Sequence, residues 1–327
     1  MVKETATAII LVLGAVLDYL IGDPWGWIHP VQVMGAIIAV ATKVILNWTR
    51  EKICQRLAGI ILGLGLIILA GVLTWLGIQW LGQVNLLLSC LVQMILLASC
   101  LAGRSLRRAA ETVIAPLQAE NITLARCQLS LYVGRDTDNL GREEILRALL
   151  ETVSENGVDG VTAPLFYALL GAFLGVGPVP LACAYKAAST LDSMIGYRRP
   201  PYTHIGWFSA KSEDVLTWLP CRLTVLTLAL ISGRPGWVLS ICWRDARRDP
   251  SPNSGWSECV YGAILGVQLG GKNQYRGQIV EKPLLGDNLN PITVKTVEQA
   301  LNLTRTCVLL WLAIAVSCLI ARDFAQF

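Results

Sequence analysis

Two apolar runs, 57–81 and 84–101, restrict this chain to few folds. Each is long enough to approach or cross a hydrocarbon core, which takes roughly 20 apolar residues. In lipid, a backbone segment that satisfies its own hydrogen bonds is a helix. Gly82 and Gln83 lie between the runs and carry no charge, so the pair reads as a helical hairpin with its tight end there. The open ends carry Arg50, Lys52 and Arg56 on one side and Arg104, Arg107 and Arg108 on the other. The bias of basic residues toward the cytoplasm places both open ends on that face. A third run, 5–21, is also long enough, and a fourth, 306–320, is shorter but uninterrupted. Residues 31–46 fit either a short span or a helix lying at the interface. Asp18 inside the first run, and the lack of a small-residue cleavage site, argue against a cleavable signal peptide.

The composition agrees. The chain is 54% apolar and only 15% charged, where soluble domains are about a quarter charged, and its mean hydropathy is +0.54. The expectation is an all-α, polytopic membrane protein with about four to six transmembrane or re-entrant helical segments. Ten cysteines stand singly and only two histidines accompany them, which leaves no zinc set and no disulfide framework. They read as small apolar residues at helix interfaces. The net charge of +4 is mild and dispersed, so the lipid bilayer is a partner and nucleic acid is not.

A single integral membrane domain, 1–327, then carries three polar insertions on one cytoplasmic face: 104–160, 186–214 and 244–303. In the first, Ile145, Leu146, Leu149, Leu150 and Val153 repeat at helical spacing after the capping candidates Asp138 and Asn139. That helix should stop near Asn156, with Gly157 as its left-handed terminal residue. Thr162 reads as the next N-cap, with Pro164 in the first turn. Gly175, Gly177, Pro178 and Pro180 break the apolar run that follows, so 161–185 is expected to be a re-entrant hairpin that returns Lys186 to the cytoplasmic side. Residues 215–243 look similar, with Gly233, Pro235 and Gly236 at the turn and with Pro220 and Arg222 weakening a plain span.

Carboxylates beside a membrane are costly unless hydrated, paired or metal-bound, which makes Glu151, Glu155, Asp159, Asp192 and Asp214 functional candidates. Magnesium takes one or two such groups together with substrate phosphates. The plainer alternative for Glu151 is a solvated pair with Arg147, four residues earlier. Lys186, Ser189, Thr190 and Ser193 fall on one helical face and make an anion site, or else Lys186 snorkels to the headgroups. Arg198 and Arg199 follow in a loop able either to grip phosphate or to anchor at the lipid surface. Residues 251–255, S-P-N-S-G, form a compact turn whose main-chain amides suit an anion nest. Residues 266–273, G-V-Q-L-G-G-K-N, miss a phosphate-binding loop at the last position, where a hydroxyl must hold magnesium and Asn273 stands instead.

Taken in order, L-D-Y-L-I-G-D-P with H-P-V-Q, then G-R-D-T, E-T-V-S-E-N-G-V-D-G-V-T-A-P-L-F-Y, Y-K-A-A-S-T-L-D-S-M-I-G-Y, F-S-A-K-S-E-D-V, L-P-C-R-L-T, S-P-N-S-G and L-G-V-Q-L-G-G closely resemble the adenosylcobinamide-phosphate synthase family of cobalamin biosynthesis. The likeness runs over about 18–286. The family commonly has asparagine at the position of Ser189, and histidine ahead of the S-P-N stretch where Asp249 and Pro250 stand here.

The resemblance implies a multi-pass inner-membrane ligase with a cytoplasmic active face. It would join adenosylcobyric acid to (R)-1-amino-2-propanol phosphate, or ethanolamine phosphate, with ATP hydrolysis, giving adenosylcobinamide phosphate. ATP and Mg2+ are then the implied cofactors, and the corrinoid and the amino-alcohol phosphate the partners; homo-oligomerisation is left open. On that chemistry Glu155, Asp159 and Asp192 hold magnesium, while Lys186, Arg198 and Lys211 neutralise phosphate. Arg135, Asp136, Asn156 and the 251–255 turn, with Ser251, Asn253, Ser254 and Gly255, complete the substrate contacts. Asp214 or Glu155 accepts the amine proton. The alternative is a membrane carrier for a corrinoid or other organic anion, because broken helices with charged flanks also build transporter sites. Long polar insertions, and the lack of matched interrupted spans in two halves, favour the enzyme.

Overall fold

With no water to satisfy a lipid-facing backbone, helix is the element that closes its own hydrogen bonds, and this chain adopts it almost throughout. The computed structural model describes residues 2–22 and 29–324; the G-D-P stretch therefore falls mostly outside the described residues. In chain order the helices are α1 (Val2–Leu20), α2 (Pro30–Trp48), α3 (Lys52–Val84), α4 (Leu86–Cys100), α5 (Gly103–Gln118), α6 (Ile122–Leu129), α7 (Arg142–Gly157), α8 (Ala163–Phe173), α9 (Pro178–Ile195), α10 (Tyr202–Ile205), α11 (Trp207–Ile231), α12 (Pro235–Asp245), α13 (Ser254–Leu265) and α14 (Val294–Phe324). One antiparallel hairpin, β1 (Leu269–Tyr275) with β2 (Gln278–Leu285), is the only sheet among the described residues.

Five helical runs among those residues are long and apolar enough to cross a membrane: α2, α3, the run Leu86–Gln118 that comprises α4 and α5, α11 and α14. The all-α polytopic membrane protein expected from the sequence is what the chain forms. Residues 31–46, ambiguous in the sequence, are one of the five, within α2.

Several boundaries differ from expectation. The hairpin of long helices turns at Asn85, because α3 runs on through Gly82 and Gln83. Asn85 then caps α4, its Oδ1 accepting the Leu88 N–H at 3.0 Å. Gly141, not Asp138 or Asn139, precedes α7, and Glu144 Oε2 reaches back to accept the Gly141 N–H at 2.7 Å. Nor does that helix end at Asn156. A π-helical turn, Val158–Thr162, joins α7 to α8, so helical backbone is continuous from 142 to 173. Gly157 keeps negative φ, and Thr162 caps nothing; its hydroxyl pairs with Thr224 at 2.7 Å in a buried setting. Residues 215–231 belong to α11, which starts at Trp207 and runs through Pro220; the chain then turns at the expected Gly233, and α12 follows from Pro235.

The chain divides into two compact units. The first is drawn from Met1–Arg104, Ala163–Thr217 and Leu310–Phe327. In it α9 packs on α3 and α2, and Ile38, Leu66, Ala187, Leu191 and Ile195 make a buried cluster. The expected α8–α9 hairpin is present, closed where the Gly177 N–H donates to the Gly171 carbonyl at 3.1 Å. Asp18, the charge inside the first apolar run, is buried and caps α5: its Oδ2 accepts the Gly103 N–H at 3.1 Å. Small residues let these helices approach closely, as is usual between membrane helices. Gly59 lies against the Ile205 carbonyl with no room for a Cβ, whereas nothing stands within 4 Å of a Cβ at Gly65 on the same helix. Gly59→Val is therefore expected to destabilise the protein by about 1–3 kcal/mol or more through overpacking, with Gly65→Ala neutral or slightly stabilising. Thermal unfolding in detergent would separate the two.

The second unit comprises Ser105–Thr162 and Trp218–Leu309. Here α13 packs on α7 and α12, and the β-hairpin lies against α7 and α13. Residues 105–160 and 244–303 of the polar insertions fall in this unit, and 186–214 in the first.

Candidate functional site

Glu258 sits one turn into α13 and is 0% exposed. Neither of its carboxylate oxygens accepts a hydrogen bond among the described residues. Its ion-pair partner is Lys282 of β2, with Nζ 3.5 Å from Oε1. A carboxyl taken out of water and given one lysine at the edge of contact resists ionisation. Burial pushes the Glu258 carboxyl up to about 8; Lys282 opposes that shift, and Glu155, Glu151 and Asp249 add to it. Glu155, half-buried on the last turn of α7, is raised for the same first reason, with Lys282 again opposing. Burial works against the Lys282 charge, yet Glu258, Glu155 and Glu151 together hold its pKa above the ordinary value.

Two carboxyls and a lysine thus share one field, with a carboxyl poised near the operating pH of an enzyme. That is the environment of a general acid or base. Such a group must be ionised to accept a proton, and at about 8 it is mostly protonated at neutral pH. Activity that uses it should therefore rise as pH passes about 8. Lys282→Met removes the opposing charge and is expected to move that limb to higher pH; kcat/KM measured against pH checks this, and an unmoved limb would exclude Lys282 from the balance.

Beside this centre, Glu151 is tied into the protein. It pairs with Arg135 and lies 3.9 Å from Arg147, and its Oε1 accepts the Gly270 N–H at 2.8 Å. Arg135 Nη1 also donates to Asn273 Oδ1 at 2.7 Å, so the residue that breaks the phosphate-loop pattern serves as an acceptor on β1. Asp136 takes the Arg276 and Gly277 N–H groups at 2.9 and 2.7 Å and so caps the β-hairpin turn. Arg135 and Asp136, expected at substrate, are thus committed to the hairpin. The helix α13 ahead of β1 is the reverse of a strand–loop–helix phosphate site.

The 251–255 turn is likewise engaged with itself. The Ser251 N–H donates to Asp249 Oδ1 at 2.8 Å, and the Asn253 and Ser254 N–H groups donate to Ser251 Oγ at 3.2 Å. Those amides, expected to be free for an anion, already have acceptors. Gly255 is buried at the start of α13, close against Asp249 and the Ala246 carbonyl. Asn156 is exposed, its Nδ2 donating to the Thr152 carbonyl at 2.9 Å. Asp159 is half-buried in the π turn, a kind of distortion frequent at functional sites.

The remaining predicted residues belong to the first unit. Lys186 and Asp192 are half-buried on α9, where the Thr190 and Ser193 hydroxyls donate to main-chain carbonyls of the same helix. Arg198 is exposed in the loop after α9. Lys211 pairs with Asp214 one turn along α11, at 3.1 Å. Among the described residues no three histidine, cysteine or acidic side chains are grouped closely enough to hold a metal ion. A magnesium arriving with phosphates needs only one or two carboxylates. Glu155 and Asp159, four residues apart, suit that smaller role.

Glu258 and Lys282 were not singled out from the sequence. The available signal was one acidic residue followed directly by the apolar run C-V-Y-G-A-I-L, where a charge is rarely buried without a partner.

Comparison with known proteins gives a consistent answer. Residues 11–304 match the family described as CobD/Cbib protein. The chain is 55% identical over 305 residues to the cobalamin biosynthesis protein CobD of Synechocystis sp., covering 92% of this chain and 89% of that one. It is 40% identical over 309 residues to the protein of the same name from Halalkalibacterium halodurans, covering 92% and 93%. It is 41% identical over 307 residues to the cobalamin biosynthesis protein CbiB of Salmonella typhi, covering 91% of each. No solved structure matches. On a family match across most of its length and relatives this similar over nearly all of theirs, the chain belongs to the CobD/CbiB family.

Proposed function

We propose that this protein works in cobalamin biosynthesis, as an inner-membrane ligase that forms the amide between adenosylcobyric acid and an amino-alcohol phosphate. The observation that carries the chemistry is the buried Glu258 carboxyl, without hydrogen-bond partners and 3.5 Å from Lys282, in the field of Glu155. The names of its relatives support the pathway.

Amide formation from a carboxylate and an ammonium in water is uphill. ATP supplies the activation by transferring its terminal phosphoryl group to the carboxylate oxygen. The amine then attacks the acyl carbon and expels phosphate, so the net products are amide, ADP and phosphate. The amine is a nucleophile only after losing a proton, and the ionised Glu258 accepts it. Glu155 and Asp159 are the carboxylates for a magnesium bound with the nucleotide. Lys186 and Asp192 belong to the first unit, and a part for them in the reaction rests on the family resemblance alone.

The test is ADP release by purified protein in detergent. Release that requires both the corrinoid acid and the amino-alcohol phosphate supports the ligase. Counterflow of corrinoid in liposomes without nucleotide turnover would point to the carrier instead. Lys186→Ala and Asp192→Asn, in protein that remains folded, are each expected to lower coupling at least tenfold, as loss of a positioned charge does; near-normal turnover in both would remove them from the reaction.

A further inference from the structure

A cavity of about 720 Å³ lies within the second unit among α11, α12, the short 3-10 turn Ala246–Arg248 and the start of α13. Its lining is graded. On α12 and the turn after it, Arg247, Trp243 and Leu239 follow at four-residue spacing, running from cation through indole to aliphatic. On α11, Trp218 and Arg222 are followed by Val225 and Leu226 in the same sense. Trp256 of α13 closes the wall between them.

The guanidiniums lie at the indole level. Arg222 stands 4.4 Å from the Trp256 ring centre and 5.4 Å from that of Trp218, and Arg247 stands 3.9 Å from that of Trp243. Arg222 Nη2 donates to the Pro252 carbonyl at 2.8 Å, but Nη1 is buried with no hydrogen-bond partner. A buried donor left unmet costs free energy that an anion would recover. The one carboxylate in the lining, Asp249, is already bonded to the Ser251 N–H and the Ser254 hydroxyl. The charge facing the cavity is therefore net positive at one end only.

The other end is aliphatic. Leu226 there and Leu230 one turn further along α11 are exposed, and α11 is long and apolar enough to cross a membrane. Indoles and arginines at one level above aliphatic side chains are what a membrane interface selects. A nucleotide or inorganic phosphate would leave the aliphatic end uncovered, whereas an acyl chain follows it.

We infer that this cavity is a binding site for an anionic glycerophospholipid, its phosphate between Arg222 and Arg247 and its acyl chain along Val225, Leu226 and Leu239. Glu258, Glu155 and Asp159 do not line the cavity, although its Asp249 adds to the field that raises Glu258, and its Ser251 was expected at substrate. Protein purified in detergent and exchanged into mixed phosphatidylglycerol and phosphatidylcholine would be examined for retained lipid by native mass spectrometry. The expected result is selective retention of phosphatidylglycerol, reduced about fivefold by each of Arg222→Gln and Arg247→Gln. Arg247 is exposed, so its variant keeps the test open should the Arg222 variant fail to fold. Equal retention of the two lipids, or undiminished retention by Arg247→Gln, would overturn the assignment. So would displacement of the bound lipid by inorganic phosphate or AMP at millimolar concentration, which would mark a site for a soluble phosphate.

Discussion

Glu258→Gln is expected to lower ATP-dependent coupling by roughly 10²–10⁴-fold, the range a positioned general base contributes, while the protein stays folded. Glutamine keeps the shape of the side chain and removes its ability to take a proton. The carboxyl is wholly buried without hydrogen-bond partners and at about 8 is mostly protonated at neutral pH, so the amide differs from it chiefly in the contact with Lys282 at 3.5 Å. Stability should therefore be unchanged or slightly lower even as turnover collapses. Turnover and the unfolding midpoint measured on the same preparation check both halves. A variant with full turnover would show that Glu258 is a structural charge, and one that fails to fold would show that Lys282 depends on it.

The opposite pattern is expected at Arg135. Its guanidinium pairs with the buried Glu151 and donates to Asn273, both in the clasp between α7 and the β-hairpin. Removing one partner of a buried ion pair strands the other, at a typical cost of about 3–5 kcal/mol. Arg135→Ala should thus lose stability of that order, and Glu151→Gln in the same chain should restore part of it. A cycle of the two single variants and the double variant in detergent measures the coupling. If Arg135→Ala kept its stability and lost only activity, the substrate contact first expected of Arg135 would be correct.

These two residues also mark what the sequence made legible. The long apolar helices were readable because twenty apolar residues in a row have few alternatives to a span. The α8–α9 hairpin was readable because Gly175, Gly177 and Pro178 interrupt the run at one place. Continuity from α7 into α8 was not: Gly157 and Pro164 are local stop signals, and the π turn carries the helix past them. Pro220 misled in the same way inside α11, where Arg222 also suggested a break although its guanidinium lies against Trp256.

The candidate site was legible only in part. Glu155 and Asp159 drew notice through their spacing beside a chain reversal. Glu258 did not, because what distinguishes it is burial, and its partner Lys282 lies on a strand distant in sequence. Arg135 and Asp136 resembled contacts for phosphate and amine, yet both hold the β-hairpin, a role that exists only once Asn273, Arg276 and Gly277 are brought to them. The 251–255 turn had the residues of an anion nest, and Asp249 and Ser251 occupy it from within the chain.

The central claim is that the corrinoid carboxylate is activated by phosphoryl transfer before the amine attacks. Adenosylcobyric acid labelled with oxygen-18 in the reacting carboxylate, turned over by the purified protein with ATP and the amino-alcohol phosphate, reports on that step alone. The predicted result is one labelled oxygen in the released inorganic phosphate for each amide formed. Amide formed with unlabelled phosphate, or with no nucleotide consumed, would contradict it.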